Sequence, residues 1–354
     1  MINRRKFIQT CGITIASSCF FNHPALAMNP TISAKCKPIG GSWFEFNHHN
    51  PAEGKYWDPA LRNFTTEQWR TKIREIRETG MEYLVLLSVA DKGRTFYPSK
   101  LQPRYDFVCE DPLEAVLSAA DECGIKFFVS NDFWGDSSDM QKLMTNTEVA
   151  CLRDKGMEEV AGKYGHHKSF YGWYYPNETG LSQNIDETTI QYVNSCSLKA
   201  RELMPGCVNL IAPYGTKYVR ADDNFVRQLD RLDVDIIAYQ DEVGVMKTEA
   251  GTAGRYYEAL QKAHAKAGRA KLWADVEVFQ FEGEVYKSAL LPANFERIRK
   301  QLEDISSYVD NILIYQYIGM MNKPGTTAFA GHESSQELYT NYMEWLKNEK
   351  LPNS

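Results

Sequence analysis

The stretch SFYGWYYPNETG, Ser169 to Gly180, places five aromatic residues directly before an Asn-Glu pair. The aromatic part, from Phe170 to Tyr175, has the composition of a buried β-strand. Asn177 and Glu178 are polar groups that an apolar core would exclude. We therefore interpret the stretch as a strand that leaves a buried core and ends at a functional site.

Seven further runs of apolar, β-branched or aromatic residues recur along the chain, each followed by a helical pattern. They are PIGGSWFEF from Pro38, EYLVLLSV from Glu82, IKFFVSN from Ile125, CVNLIAP from Cys207, VDIIAYQ from Val234, KLWADVEVF from Lys271 and NILIYQY from Asn311. Such runs are typical of parallel strands covered on both faces. Eight strand–helix units predict an α/β fold, a single-domain (β/α)8 TIM barrel over residues 38–350. An open doubly wound sheet is less favoured, because no glycine-rich phosphate loop follows any strand.

The helical segments carry their own start and stop signals. In NFTTEQWRTKIREIRETG, Thr65 and Gln68 form a predicted capping box, and Gly80 is placed to end the helix. Apolar residues recur on one face of this helix, at Trp69, Ile73 and Ile76. These signals place the helix between the first two predicted strands.

The N-terminus has the features of an export signal. Arg4, Arg5 and Lys6 precede a short apolar stretch, and Ala27 ends a PALA cleavage site. We expect a signal peptide at residues 1–27 and a short lead at 28–37. The arginine pair favours the twin-arginine route, with an ordinary Sec signal as the alternative. The mature protein is expected in the periplasm or outside the cell, with no membrane span; a lipoprotein anchor at Cys19 is a weaker alternative.

The composition argues against several classes of function. A net charge of −6 without a basic run makes the chain a poor binder of nucleic acid. The cysteines lack CxxC or CxxH spacing, so we expect no metal and no cofactor. In NHHN, residues 47–50, adjacent histidines on an extended stretch point to opposite faces, which favours a solvated loop or one sugar-binding histidine. His166 and His167 precede the fourth strand and are expected to be structural. The oligomeric state stays open.

The predicted strand ends are rich in carboxylates, amides and indoles, and strand ends carry the chemistry of such barrels. We expect a carbohydrate there, because aromatic faces stack on the C–H faces of sugar rings while polar groups bond to hydroxyls. For Tyr239 and Gln240, closing the core is an equally open interpretation. The residues expected to bind substrate are Trp43, Asn47, Asn131, Trp134, Asn177, Tyr239, Gln240, Asp241, Tyr315 and Gln316.

Glu178 and Glu277 are the candidate catalytic pair. They end the fourth and seventh predicted strands, so the barrel brings them toward each other across its mouth. Glycoside hydrolysis needs one acid to protonate the leaving oxygen and one carboxylate to attack or to activate water. Along strand seven, Trp273, Asp275 and Glu277 point the same way. Asp275 and Glu282 remain competitors for the second role.

A family resemblance supports the pair. The segment YGHHKSFYGWYYPNE, Tyr164 to Glu178, resembles the fourth-strand signature of clan A glycoside hydrolases. The resemblance implies that Glu178 is the acid/base, that Asn177 holds the sugar 2-hydroxyl, and that Glu277 is the nucleophile of a retaining mechanism. As the acid, Glu178 is expected to have a raised pKa.

A second resemblance covers most of the chain. From about Pro38 to Leu346, including YQDEVGV and WADVEVFQ, the sequence resembles a bacterial family of barrel domains of unknown function. In clan A a tryptophan commonly ends strand eight, where this chain has Tyr315 and Gln316.

The leading interpretation is an exported, retaining glycoside hydrolase that acts on oligo- or polysaccharide. The alternative is a sugar-binding protein on the same barrel that has lost catalysis, and the presence of both glutamates favours the enzyme. A metal-dependent barrel hydrolase or isomerase is a third interpretation. It would need histidine ligands at several strand ends, and these ends nearly lack histidine.

Overall fold

The computed structural model of the protein describes residues 36–135, 139–176 and 180–350. The predicted signal peptide at residues 1–27 lies outside them. Eight parallel strands close into a barrel, which confirms the predicted TIM-barrel fold. Each predicted strand run contains one of them: β1 (Gly41–Phe44), β2 (Tyr83–Leu86), β3 (Lys126–Ser130), β4 (Phe170–Tyr174), β5 (Val208–Ile211), β6 (Ile236–Gln240), β7 (Lys271–Glu277) and β8 (Asn311–Tyr315). β8 pairs with β7 and with β1, which closes the circle.

Ten α-helices occur in the described part of the chain. They are α1 (Asp58–Arg62), α2 (Thr66–Glu78), α3 (Pro112–Cys123), α4 (Met140–Thr145), α5 (Thr147–Tyr164), α6 (Glu187–Leu203), α7 (Asp223–Arg231), α8 (Gly254–Ala267), α9 (Phe295–Ile305) and α10 (Ser335–Lys350). Short hairpins pair Ala90–Asp91 with Arg94–Thr95, and Phe279–Phe281 with Leu290–Pro292. Among these helices, none has the length and apolar character that crossing a membrane would require.

Helix α2 begins as the sequence predicts. The Thr65 hydroxyl accepts from the Gln68 N–H at 3.3 Å, and the Gln68 side chain accepts from the Thr65 N–H at 2.9 Å. This reciprocal pair satisfies two of the N–H groups that a helix start leaves without partners. The apolar face is fully buried, through Trp69, Ile73 and Ile76. The predicted capping box is therefore confirmed.

The side chains of the strands belong to two apolar layers, one between the barrel and its helices and one inside the barrel. In β7, Leu272, Ala274 and Val276 pack with the surrounding helices, and Trp273 belongs to the interior of the barrel. The interior layer consists of Trp43, Val85, Leu87, Phe128, Tyr174, Leu210, Ala212, Ile236, Ala238, Trp273 and Leu313. Because neighbouring residues of a strand point to opposite faces, the inward positions beyond Trp273 belong to Asp275 and Glu277.

The glycine in FYGWYY is required by the close approach of two strands. A Cβ placed on Gly172 would lie 1.7 Å from the carbonyl oxygen of Val208 on β5. Any side chain at this position would force β4 and β5 apart. The glycine therefore allows β4 to pair with β5 in the observed register.

His167 joins α3 to the loop before β4, at the amino end of the barrel. Its Nδ1 lies 2.7 Å from Asp121 Oδ2, and its Nε2 lies 3.1 Å from Glu114 Oε2. Burial alone would lower the pKa of His167, but the hydrogen bonds and charges of Asp121 and Glu114 outweigh it and raise the pKa above its ordinary value. The structure thus gives His167 a structural role, as the sequence predicts.

We expect His167→Gln to destabilise the protein more at pH 6 than at pH 9. A raised histidine pKa contributes stability that is fully present below the unfolded-state pKa and is lost as pH rises through the folded-state pKa. Urea unfolding of wild type and variant at both pH values measures the difference. His166→Gln, which alters the neighbouring histidine, is the control. A destabilisation that is equal at both pH values would show that His167 contributes packing rather than charge.

Candidate active site

A cavity of about 360 Å³ opens at the carboxyl end of the barrel. Each of the eight strands, or the loop that follows it, contributes at least one residue to its wall. Polar groups on the wall include Glu53, Gln240, Glu242, Asp275, Glu277 and Tyr315. A concave site that combines apolar walls with a few converging polar groups is the usual form of a small-molecule site.

Glu277 is held in the cavity by hydrogen bonds on both its backbone and its side chain. Its Oε2 accepts from the Val245 N–H at 2.8 Å, and its own N–H donates to Asp241 Oδ1 at 3.1 Å. Its carbonyl oxygen accepts from Arg297 Nη2 at 2.7 Å and from Gln301 Nε2 at 3.1 Å. The end of β7 is therefore fixed to the loop after β6 and to α9.

Asp241 lies behind Glu277 rather than on the cavity wall. Its Oδ1 also accepts from the Val243 N–H at 3.2 Å, and its Oδ2 accepts from Gln301 Nε2 at 2.7 Å. Gln301 in turn accepts from Arg297 Nε at 3.0 Å, which orients its amide. The structure thus places Asp241, which was expected to bind substrate, behind the cavity wall, where its carboxylate positions the end of β7.

The electrostatics of the acidic wall favour a proton on Glu277. Burial raises the pKa of Glu277, and the charge of Asp241 raises it further, whereas the Val245 N–H opposes the rise. Burial also raises the pKa of Asp241, against the hydrogen bond from Gln301. A raised pKa thus occurs on Glu277, whereas the sequence led us to expect it on Glu178, which lies outside the described residues.

Asp275 and Glu242 complete the acidic wall. Glu242 Oε2 accepts from the Gly215 N–H at 3.0 Å, and its Oε1 lies 3.3 Å from Lys247 Nζ. Asp275 lies two residues before Glu277 and faces the same cavity. Glu282, the other sequence competitor, lies outside the cavity wall and accepts a hydrogen bond from Tyr56 at 2.6 Å.

A second polar group of the cavity wall comes from the loop after β1 and from β8. His48 Nδ1 accepts from the Asn50 N–H at 3.1 Å, so a neutral His48 carries its proton on Nε2. This Nε2 lies 3.5 Å from Glu53 Oε2 and 3.5 Å from the Tyr315 hydroxyl. Burial lowers the pKa of His48 to about 3, and burial raises the pKa of Glu53 to about 7.

Glu45 is buried close to this group. Its Oε1 accepts from Trp57 Nε1 at 2.8 Å and from Gln316 Nε2 at 2.6 Å. Burial raises the pKa of Glu45 to about 7, against both hydrogen bonds. Gln316 therefore orients a buried carboxyl and does not line the cavity, contrary to its expected substrate contact.

Two tryptophans expected to bind substrate are buried away from the cavity. Trp43 packs in the barrel interior, with its ring edge-on to Tyr174 at 5.7 Å. Trp134 fills the space that the missing Cβ of Gly156 leaves on α5, and its indole N–H donates to the Asn131 carbonyl at 3.1 Å. Neither indole lines the cavity, so the expected stacking surfaces are not found at these residues.

Three other residues that were expected to bind substrate have side chains that contact neighbouring protein groups. Asn47 donates to the His48 carbonyl and accepts from Arg62. The Asn131 amide lies 3.8 Å from the Met157 sulfur on α5, and the Tyr239 hydroxyl lies 3.0 Å from His264 on α8. Gln240 and Tyr315 do line the cavity, whereas Asn177 lies outside the described residues.

Glu53, Lys247 and Tyr286 of the cavity wall were not singled out from the sequence. NHHN was interpreted as a solvated loop or as the source of one sugar-binding histidine. Both of its histidines line the cavity, with ring centroids 4.6 Å apart. The expectation of opposite faces fails because the chain turns after β1 instead of continuing as a strand.

Residues 39–328 match the family model described as a domain of unknown function, DUF4434. The chain belongs to the DUF4434 family. None of the curated proteins compared with this DUF4434 sequence matches it.

Solved structures resemble the DUF4434 barrel at low sequence identity. A Bacteroides thetaiotaomicron protein provisionally assigned as an α-L-fucosidase gives a TM-score of 0.67 at 16% identity, covering 88% of this chain and 96% of its own. The endo-β-1,4-mannanase of Thermotoga petrophila gives a TM-score of 0.58 at 10% identity, covering 91% of this chain and 79% of its own. Streptomyces cattleya GH5_18, solved with GlcNAc, gives a TM-score of 0.55 at 15% identity, covering 90% of this chain and 82% of its own. At these identities the comparisons establish a glycosidase-like barrel fold.

We expect Asp241→Asn to lower the pKa of Glu277, because the substitution removes the negative charge that favours its protonated form. The measurement is the pH titration of the Glu277 carboxyl ¹³C resonance, assigned by comparison with Glu277→Gln. Asp310→Asn is a matched control, since Asp310 accepts from the Leu272 N–H at 3.1 Å at the opposite end of β7. A Glu277 midpoint that stays unchanged in Asp241→Asn would assign the raised pKa to burial alone.

Proposed function

We propose that this protein is a retaining glycoside hydrolase that acts on oligo- or polysaccharide, with Glu178 as acid/base and Glu277 as nucleophile. The observation that carries the proposal is that Glu277, at the end of β7, and Pro176, just beyond β4, line the same cavity. Clan A glycoside hydrolases, which the fourth-strand segment resembles, use carboxyl groups at these two strand ends.

The described residues on both sides of segment 177–179 support a role for Glu178 at the cavity. Pro176 precedes the segment and lines the wall. Gly180 follows it and pairs with Tyr214, another wall residue, and the Leu181 N–H donates to the Tyr214 carbonyl at 2.8 Å. The described residues that flank the segment, Pro176 and Gly180, therefore line the cavity or contact its wall.

In the proposed mechanism Glu277 attacks the anomeric carbon as Glu178 protonates the departing oxygen. This step gives a covalent glycosyl-enzyme and a Glu178 carboxylate. Glu178 then takes a proton from water, whose oxygen displaces Glu277 and regenerates both groups. The hydrogen bond from the Val245 N–H aims Glu277 Oε2 within the cavity. Because only an ionised Glu277 attacks, its raised pKa implies that activity increases with pH on the acidic side of the profile.

The structural neighbours support a carbohydrate as the substrate class. Their names describe an endo-mannanase, a GH5 enzyme solved with GlcNAc and a provisional fucosidase. The cavity wall suits a sugar, because it combines polar groups such as Glu53 and Gln240 with the rings of Phe279 and Phe281. We further propose export to the periplasm or the exterior, supported by the signal-like residues 1–27.

We expect Glu277→Ala to abolish turnover of natural and of activated aryl glycosides, because both need the nucleophile. Glu178→Ala should slow natural substrates by about 10²–10⁴-fold, yet still form the intermediate from an aryl glycoside, whose leaving group needs little protonation. Azide should then rescue Glu178→Ala to a β-glycosyl azide from a β-glycoside, and any rescue of Glu277→Ala should give the inverted α-azide. Kinetics and product NMR measure these outcomes.

Glu284→Gln is the control, because Glu284 is an exposed glutamate on the loop after β7 that pairs with Lys287. Full activity in both Glu178→Ala and Glu277→Ala would transfer the chemistry to Asp275 or Glu242. The reverse pattern, with Glu277→Ala active on aryl glycosides, would make Glu277 the acid. Binding without turnover by the wild type, across a broad glycan panel, would favour the sugar-binding alternative.

A further inference from the structure

Exposed apolar side chains cluster at the mouth of the cavity. In the described ranges, six large hydrophobic side chains are exposed, and four of them belong to the loops after β5, β6 and β7: Tyr214, Tyr218, Met246 and Tyr286. Tyr286 is 51% exposed and Tyr214 is 38% exposed, although both also line the cavity. Exposed hydrophobic residues are common singly, but exposed rings that also line a cavity mark an interaction surface.

Two lysines contact the tyrosine rings of the loop after β5. Lys247 Nζ lies 5.2 Å from the centroid of the Tyr214 ring and 3.3 Å from Glu242 Oε1. Lys217 Nζ lies 4.9 Å from the centroid of the Tyr218 ring and donates to the Lys247 carbonyl at 2.6 Å. These cation–π contacts and hydrogen bonds join the loops after β5 and β6.

Tyr286 is held by the loop after β1 and by a ring of the hairpin after β7. Its carbonyl accepts from Asn50 Nδ2 at 3.0 Å, and its ring centroid lies 5.7 Å from that of Phe281, which lines the cavity. Its φ of +64° is a left-handed value that a tyrosine adopts only where surrounding contacts impose it. Rings on a backbone held in this way lose little conformational entropy when a ligand binds.

The chemistry of the mouth points to an amphipathic ligand that continues out of the cavity. Tyrosine combines an apolar ring with a hydroxyl, and here the Tyr214 ring contacts Lys247, which pairs with Glu242. The cavity volume of about 360 Å³ is near the lower end for ligand pockets, so a longer oligosaccharide would extend past Tyr214 and Tyr286. A purely apolar partner would leave the charged groups between the rings desolvated.

We propose that Tyr214 and Tyr286 form a platform that binds the part of an oligosaccharide chain projecting from the cavity. This inference rests on the proposed carbohydrate-cleaving function and adds that substrates longer than the cavity are preferred. The platform takes the stacking role that the sequence led us to expect of Trp43 and Trp134.

The test compares Tyr214→Ala/Tyr286→Ala with Tyr256→Ala, a matched control on α8 whose ring lies 4.7 Å from the Arg255 guanidinium. All proteins carry Glu277→Gln so that bound glycans stay intact, and thermal unfolding confirms that each is folded. An array of oligosaccharides of two to six residues identifies the best-bound chain. Calorimetry then compares its tetrasaccharide with its methyl monosaccharide. We expect the double variant to bind the tetrasaccharide about tenfold more weakly, with a smaller loss for the monosaccharide, because both rings also line the cavity. Tyr256→Ala should match the parent.

Three results would overturn the platform: equal losses for both ligands, no loss for either, or no glycan bound by the parent. A loss confined to a 4-nitrophenyl glycoside would instead assign the tyrosines to an aromatic aglycone. The proposed hydrolase activity is tested separately, because turnover is measured in proteins that keep Glu277. A wild type that binds long glycans through the platform and cleaves none would overturn the hydrolase alone. Cleavage of long and short chains by the double variant with wild-type length dependence would overturn the platform alone.

Discussion

The closed barrel imposes one constraint on which the site depends: a row of inward-facing side chains that begins in the packed interior must end at the open carboxyl end of its strand. On β7 this row begins at Trp273, whose ring centroid lies 4.8 Å from that of Tyr83. It ends at Asp275 and Glu277 on the cavity wall. Two-residue periodicity leaves no other direction for these carboxyl groups while Ala274 and Val276 face the helices. The other strands obey the same rule, which is why all eight strands or their loops reach one cavity.

Carboxyl groups placed in this way are buried, and burying a charge is costly unless hydrogen bonds or a proton compensate. The structure uses both. Amides on neighbouring elements each donate to one carboxylate oxygen, Gln301 to Asp241 and Gln316 to Glu45. The remaining cost appears as raised pKa values at Glu45, Glu53 and Glu277. The same desolvation that makes these groups expensive suits them to proton transfer near neutral pH.

The aromatic residues divide between interior packing and the mouth of the cavity. Indoles such as Trp43 and Trp134 fill large volumes between strands and helices, where their apolar area contributes most. Tyr214 and Tyr286 line the mouth with partly exposed rings, which contact Lys247 and Phe281 respectively. Composition alone does not separate these two uses, since both appear in the sequence as aromatic residues near strand ends.

The sequence by itself determined the eight strands, the helix start at Thr65 and the inward direction of Glu277, because each depends on local hydrogen bonding or on strand periodicity. It did not determine which polar groups meet at the cavity. Glu53 and Tyr286 reach it through loops whose path depends on distant contacts, such as Asn50 with the Tyr286 carbonyl. Asp241 and Gln316 look like site residues in sequence, yet they face neighbouring buried groups. Only the tertiary structure decided these directions, because outside a regular strand a side chain points wherever the packing of remote segments satisfies its hydrogen bonds.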